Sequence, residues 1–233
     1  MKDIIVAKNK WVFNEEVTSC FDDMLSRSIP DYNTMRDLVL RLSIPFLKDK
    51  EFDLLDVGSS NGIEIEMFIN KYGNKGTYTG IDNSKPMVES SINRLKKYDS
   101  KVNIIYDDIF NITLSKYDIV TCVLTMQFID KEKRELLLNK MYNSLKDNGV
   151  LIVVEKVINT DKIYDDLFID TYYDIKEENG YTKEQIMAKK KSLEGVLVPN
   201  THEDNINLLR NTGFTHIETF WRCINFEGYI AIK

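Results

Sequence analysis

A chain of 233 residues that is 43% hydrophobic and 29% charged can bury one sizeable core, and its size fits one domain over 1–233 better than two. With 31 Lys and Arg against 37 Asp and Glu, the formal net charge of -6 gives no overall basic field to gather phosphates, so direct nucleic-acid binding is disfavoured. The apolar run Ile4 to Ala7 ends at Lys8, far short of a signal segment or a membrane span, so the expectation is a cytoplasmic protein without a membrane partner. Cys20, Cys122 and Cys223 are odd in number and widely spaced, which fits reduced packing residues.

In chain order, 15–47 carries two helical patterns broken at Ser28-Ile29-Pro30, and forms most of an expected N-terminal helical cap over 1–50. "EFDLLDVG" (51–58) predicts a first strand, and the apolar spacing of Ile63, Ile65, Met67, Phe68 and Tyr72 predicts a helix after a tight turn. "GTYTGID" (76–82) predicts a second strand, 86–98 a helix with Pro86 in its first turn, and "KVNIIYDD" (101–108) a third strand. "YDIVTCVLT" (117–125), a helix over 131–146 and "NGVLIVVEKV" (148–157) add another strand, helix, strand unit. Single helices between strands imply right-handed crossovers and a parallel sheet covered on both faces.

After the fifth strand, 162–194 reads as helical and lysine-rich, within an expected insertion over 158–197. Both helical additions should pack over the carboxyl edge of the sheet, where ligands of such folds sit. The β-rich runs in 213–233 leave no room for a helix between them, so they predict an antiparallel hairpin. The expected fold is therefore α/β, with a mostly parallel seven-stranded sheet ending in that hairpin, and it resembles the Rossmann-like class I methyltransferase fold.

The loop "DVGSSNG" places Gly58 at the end of a strand and Gly62 at the start of a helix, so its amides can face a ligand at the helix N-terminus. An acidic residue followed by G-x-x-x-G resembles the first S-adenosyl-L-methionine (AdoMet) motif better than a pyrophosphate loop. Asp82 closes the second strand, where a carboxylate can accept hydrogen bonds from both ribose hydroxyls. Asp108 and Ile109 follow the third strand and resemble a pair that reads adenine. Three such positions on successive strand ends favour AdoMet over a turn with a solvated charge. His202 and His216 are too few and too scattered for a metal site, and no metal is expected.

The segments "FNEEVTSCFDDMLSRSIPDY" (13–32), "IDNSKPMVES" (81–90), "TMQFID" (125–130), "FIDTYYDIKEENGYT" (168–182) and "INFEGYIAIK" (224–233) resemble the carboxy-S-adenosyl-L-methionine synthase family over nearly the whole chain. The resemblance implies a homodimer that converts AdoMet and prephenate into a carboxylated cofactor, later used to modify wobble uridine in tRNA. It also implies cofactor contacts at Tyr32, at Gly58, Ser59 and Ser60, at Asp82 and Asn83, and at Asp108 and Ile109. The family's carboxylate-gripping arginine falls on Val198 by an ungapped match, an asparagine of its cofactor site falls on Val123, and a His-His pair falls on Tyr172-Tyr173.

Those departures lead to an expectation of AdoMet-dependent methyl transfer to a small-molecule acceptor. Tyr32, Arg27, Tyr172 and Tyr173 would shape the acceptor site, with Glu155 as a base. The competing readings are that Arg27 pairs with Asp22, Asp23 or Asp31, that the tyrosines pack between helices, and that Glu155 pairs with Lys156 or Arg222. Carboxy-AdoMet synthesis is the alternative, with the cation supplied by Arg27, Arg222 or one of Lys189 to Lys191. A non-catalytic AdoMet-binding protein is the second alternative.

Overall fold

A computed structural model describes residues 1–47 and 51–233, so 48–50, the end of the expected cap, lie outside the described residues. The cap contains three helices where the pattern predicted two: α1 (Glu15–Ser19), α2 (Phe21–Ser28) and α3 (Tyr32–Ser43). Cys20 separates the first two with a non-helical backbone, and α2 ends before Ile29, Pro30 and a left-handed Asp31 at φ 52°.

The sheet core consists of β1 (Phe52–Val57), β2 (Gly76–Asp82), β3 (Lys101–Tyr106), β4 (Tyr117–Val123) and β5 (Leu145–Ile158), all parallel. The intervening helices are α4 (Ile63–Tyr72), α5 (Lys85–Leu95) and α6 (Lys131–Ser144). Beyond β5 come α7 (Lys162–Glu178), α8 (Lys183–Leu193), the two-residue β6 (Asn200–Thr201), α9 (His202–Thr212), β7 (His216–Cys223) and β8 (Phe226–Ile232). The spatial order is β3-β2-β1-β4-β5-β8-β7, with β8 antiparallel to both neighbours and β6 parallel to the end of β5. The reversal between β1 and β4 opens a crevice at the carboxyl ends of the strands.

Alternation along the strands creates two core layers. Leu54, Ile119 and Ile152 face one cluster with Phe68 and Tyr78, while Leu55, Val120 and Leu151 face the other with Leu137 and Met141. Each such fully buried leucine or isoleucine contributes about 1.5–3 kcal/mol of transfer free energy, so a one-residue slip in register would reverse both layers.

The expected single helical stretch at 162–194 is two helices. Asn179 and Gly180, the latter at φ 87°, end α7, and a reciprocal Thr182–Gln185 capping box starts α8. A third cluster of Trp11, Val17, Phe21, Met24 and Met87, with Leu193 and Val196 against it, joins the amino-terminal segment, α2, α5 and the end of α8. The Trp11 amide donates to the Ser192 carbonyl at 2.9 Å. Both additions thereby roof the carboxyl edge of the sheet.

Candidate active site

At the end of β1 the chain turns under constraint. Gly58 has φ 71°, and a Cβ there would collide with the Thr125 side chain, so glycine satisfies both the backbone and the space. The Gly58 and Ser59 amides donate to the Ile81 carbonyl at 2.9 and 3.0 Å, which fastens the loop to the end of β2. Asp82 is held by two amides: Ser60 donates to Oδ2 at 2.9 Å and Ser84 to Oδ1 at 2.8 Å. Burial raises its carboxyl pKa against those two bonds. Asp108 caps the following turn by accepting from the Phe110 amide at 3.0 Å.

These groups share one cavity of about 780 Å³. Its wall brings together Tyr32, Gly58, Ser59, Ser60, Asp82, Asn83, Asp108, Ile109 and Val123, every cofactor position drawn from the sequence. Tyr172 also lines it, buried edge-on against Phe226 at 5.7 Å between ring centroids.

Other expected site residues lie elsewhere. Glu155 is not on the cavity wall; its carboxylate accepts from the Met126 and Gln127 amides at 2.8 and 2.9 Å and fastens the loop after β4. Burial pushes its pKa up to about 8, but both oxygens are committed to that loop, so it is placed as a brace and not as a base toward substrate. It pairs with neither Lys156 nor Arg222; Arg222 instead meets Glu227 at 3.1 Å. Arg27 pairs with Asp23 at 3.3 Å, donates to the Asp3 and Asn179 carbonyls, and lies 4.1 Å above the Tyr181 ring. It ties α2 to the turn between α7 and α8. Tyr173 is off the wall, packed beside Tyr172 at 5.8 Å.

The position given to the missing arginine lies off the wall. Val198 is 37% exposed and does not line the cavity; its amide donates to Gln127 and its carbonyl accepts from Arg134. The valine side chain adds neither charge nor wall to the chamber, although its neighbours Val196 and Leu197 line it. Cations do stand on the wall, as Lys156 from β5 and Lys189 from α8. The Lys156 ammonium lies 4.7 Å from the Tyr172 ring centre, and Lys189 lies 5.0 Å from that of Trp11 and 4.0 Å from Asp3. Burial lowers the pKa of each to about 8. Pattern reading also omitted Arg36, Glu64 and Phe226 from the wall. Asp56, the acidic residue of the loop motif, is there too; burial, with Glu64 nearby, pushes it up to about 7.

Among the described residues no group of three or more His, Cys, Asp or Glu is arranged to hold a metal ion, and no helix is long and apolar enough to cross a membrane. His202 pairs with the buried Glu227 at 2.8 Å. The residues present suit AdoMet: a loop whose missing Cβ permits close approach, and strand-end carboxylates whose oxygens have lone pairs left for hydroxyl donors.

A family described as "Methyltransferase domain" matches residues 54–149. The carboxy-S-adenosyl-L-methionine synthase of Nautilia profundicola is 38% identical over 226 residues, covering 97% of this chain and 96% of the relative. The enzyme of the same name from Wolinella succinogenes is 37% identical over 227 residues, covering 97% and 95%. Among solved structures, an O-methyltransferase family protein of Burkholderia thailandensis superposes with a TM-score of 0.65 at 13% identity; 95% of this chain is covered but only 60% of that one, so this likeness concerns the fold alone. With near-complete coverage at that level of identity, and with a class I fold whose strand ends suit AdoMet, the chain belongs to the carboxy-S-adenosyl-L-methionine synthase family and is an AdoMet-dependent transferase.

Proposed function

We propose that this protein makes carboxy-S-adenosyl-L-methionine from AdoMet and prephenate, in place of the small-molecule methyl transfer expected from the sequence. The observation that carries the reading is Lys156. Lys156 lines the cavity, and its ammonium rests against the faces of Tyr172 and Phe226 and, among the described residues, makes no hydrogen bond or ion pair. An unpaired cation in a partly desolvated chamber suits a carboxylate-bearing substrate, whereas an apolar methyl acceptor would leave that charge uncompensated. The names of the relatives point the same way.

In this reading Asp82 accepts from the ribose hydroxyls, Asp108 and Ile109 border the adenine, and Gly58 to Ser60 lie beneath the methionyl chain. Tyr32 closes that end and Val123 forms part of the wall. When bound, AdoMet would supply a sulfonium-acidified methyl carbon. The exchange balances: the carboxyl leaves prephenate as its ring aromatises to phenylpyruvate, a methyl C–H is replaced by a C–C bond to that carboxyl, and the displaced proton and the prephenate hydroxyl leave as water. Lys156 attracts and orients the incoming carboxylate, Lys189 adds positive potential, and Tyr172 with Phe226 excludes water from that end. The reaction, and the later use of its product on tRNA that the resemblance implies, fit a cytoplasmic location. We also infer a homodimer through α7, whose Ile163, Tyr164 and Leu167 are exposed at helical spacing. Light scattering at tens of micromolar should return twice the chain mass, and a monomer throughout would overturn the dimer.

The test of the activity is mass spectrometry after incubating the purified protein with AdoMet and prephenate. A cofactor heavier by one carboxylate is expected. Absence of that species, with methylation of a supplied acceptor, would restore the methyltransferase reading.

A further inference from the structure

The amino-terminal segment carries a buried carboxylate that the proposed chemistry does not use. Residues 1–14 form no helix or strand, and among them only Asp3 and Trp11 are buried. Both meet Lys189, the cation that α8 places on the cavity wall: Asp3 Oδ2 lies 4.0 Å from its ammonium, and the Trp11 ring centre 5.0 Å. Asp3 is 2% exposed; its Oδ2 also accepts from the Tyr181 hydroxyl and its Oδ1 from the Ile5 amide at 3.0 Å. The Tyr181 ring in turn gathers cations, with Arg27 at 4.1 Å, Lys176 at 5.1 Å and Lys189 at 5.9 Å from its centre.

The acidic groups around this cluster are not equivalent. Asp23 is met by Arg27 at 3.3 Å and by the Asp3 amide at 2.7 Å. Cys20 donates its thiol to Asp3 Oδ1 at 3.9 Å, and burial pushes that thiol up to about 11, so it adds no charge. Asp3 is therefore the carboxylate left for the lysines. Burial lowers the Lys189 pKa and Arg27 adds to the fall, while Asp3 opposes both. Lys176 is lowered by burial and by Lys189 and Lys156, again against Asp3. At 4 Å and out of water, one carboxylate strongly favours the charged form of an ammonium. We propose that Asp3 is a positioning residue for carboxyl transfer, reaching in from the amino-terminal segment to hold the Lys189 ammonium charged and in place on the cavity wall. Tyr181 fixes the carboxylate through its hydroxyl. The positive wall is then complete only while residues 1–14 lie over it, so closing the segment and charging the chamber are one event.

The inference rests on the carboxyl-transfer reading for its consequence, and two readouts separate the two. Nuclear magnetic resonance of lysine-labelled protein follows Lys189 without any substrate, with Lys189→Arg identifying its signal. Asp3→Asn keeps the size of the side chain and removes its charge; it should lower the Lys189 titration midpoint by about one pH unit, and Asp3→Glu should restore most of the difference. In the kinetic assay Asp3→Asn should raise the prephenate KM about fivefold at about pH 8 and less than about twofold at about pH 6, the change in charged fraction for a midpoint that falls from about 8 to about 7. S-adenosylhomocysteine affinity should stay within about twofold at both. The KM effect should vanish in a Lys189→Arg background, where the charge no longer depends on Asp3. An unmoved Lys189 midpoint would overturn the role of Asp3 whatever the reaction. A KM rise equal at the two pH values, or one that persists beside Lys189→Arg, would mark a merely structural contact and overturn it as well. A moved midpoint with no carboxylated product would uphold the charge relation and overturn the reaction it serves.

Discussion

The strand-end wall of the cavity and the wall beneath the helical additions hold their charges in opposite ways. At the strand ends, Asp82 is anchored by the Ser60 and Ser84 amides and Asp108 by the Phe110 amide, so each carboxylate is fixed by backbone close to it. Under the additions, Lys156 rests 4.7 Å from the Tyr172 ring centre and Lys189 faces Trp11, while Lys176, off the wall, is buried 5.4 Å from the same Tyr172 ring. Burial, reinforced by repulsion from Lys189 and Lys156, takes Lys176 down to about 7. The difference is between a preorganised receptor, already satisfied by its own amides, and a positively charged chamber with part of its charge unmet. The first suits a cofactor common to a superfamily, and the second suits one particular anionic partner.

The comparison breaks most sharply at Lys156. Lys156→Met keeps the aliphatic stem and removes the charge. It should lower kcat/KM for prephenate by roughly 100-fold, about 2.7 kcal/mol, while S-adenosylhomocysteine affinity stays within about twofold. Steady-state kinetics paired with calorimetry would read both numbers. Loss of cofactor affinity alone would mean that the two walls are not divided as described.

A pH series should sharpen the same contrast with a smaller effect. The Lys156 pKa is lowered from 10.5 to about 8, chiefly by burial, with Asp165 opposing and Lys190 adding to the shift. Its charge is therefore present below that pH and lost above it. Lys189, also lowered to about 8, changes in the same direction. The KM for prephenate should rise about tenfold between roughly pH 7 and 9, the loss of protonated fraction for a group of that pKa, with S-adenosylhomocysteine affinity nearly flat. Lys156→Arg should flatten the profile, because a guanidinium stays charged throughout. A profile unchanged by that substitution would transfer the dependence to Lys189 or to the substrate.

The same division decides what can be read from the sequence. The five parallel strands, their crossovers and the final hairpin follow from period-two and period-3.6 patterns, and Gly58, Asp82 and Asp108 fall at successive strand ends where such patterns stop. The chamber depends on long-range placement. Lys156 near the end of β5 and Lys189 on α8 meet only because the insertion folds back, and it does so through a turn at Asn179 and Gly180 that helical periodicity did not reveal. Three consecutive lysines at 189–191 carry no sign of which one points inward: Lys189 reaches the wall, while Lys190 and Lys191 are exposed. Arg27, taken for an acceptor group, pairs with Asp23 one turn away, as the competing reading allowed, while its bonds to Asp3 and Asn179 join segments farther apart in the chain.

The smallest expected effect concerns the valine that first argued against carboxyl transfer. The Val198 side chain stands at the surface while its backbone joins the loop after β4 to Arg134, whose Nη2 donates to the Val198 carbonyl at 2.6 Å and whose Nη1 donates to Asn200 at the same distance. Val198→Arg leaves those backbone bonds in place and adds a charge on the solvent side. Its effect on stability should be within about 0.5 kcal/mol, as for surface substitutions away from caps and pairs. Prephenate KM and S-adenosylhomocysteine affinity should match the unmodified protein. A thermal melt and the same kinetic assay would check this. A marked fall in prephenate KM would mean that an arginine at 198 can reach the chamber, making the cationic set wider than Lys156 and Lys189; unchanged kinetics would separate the surface position from the charge of the chamber.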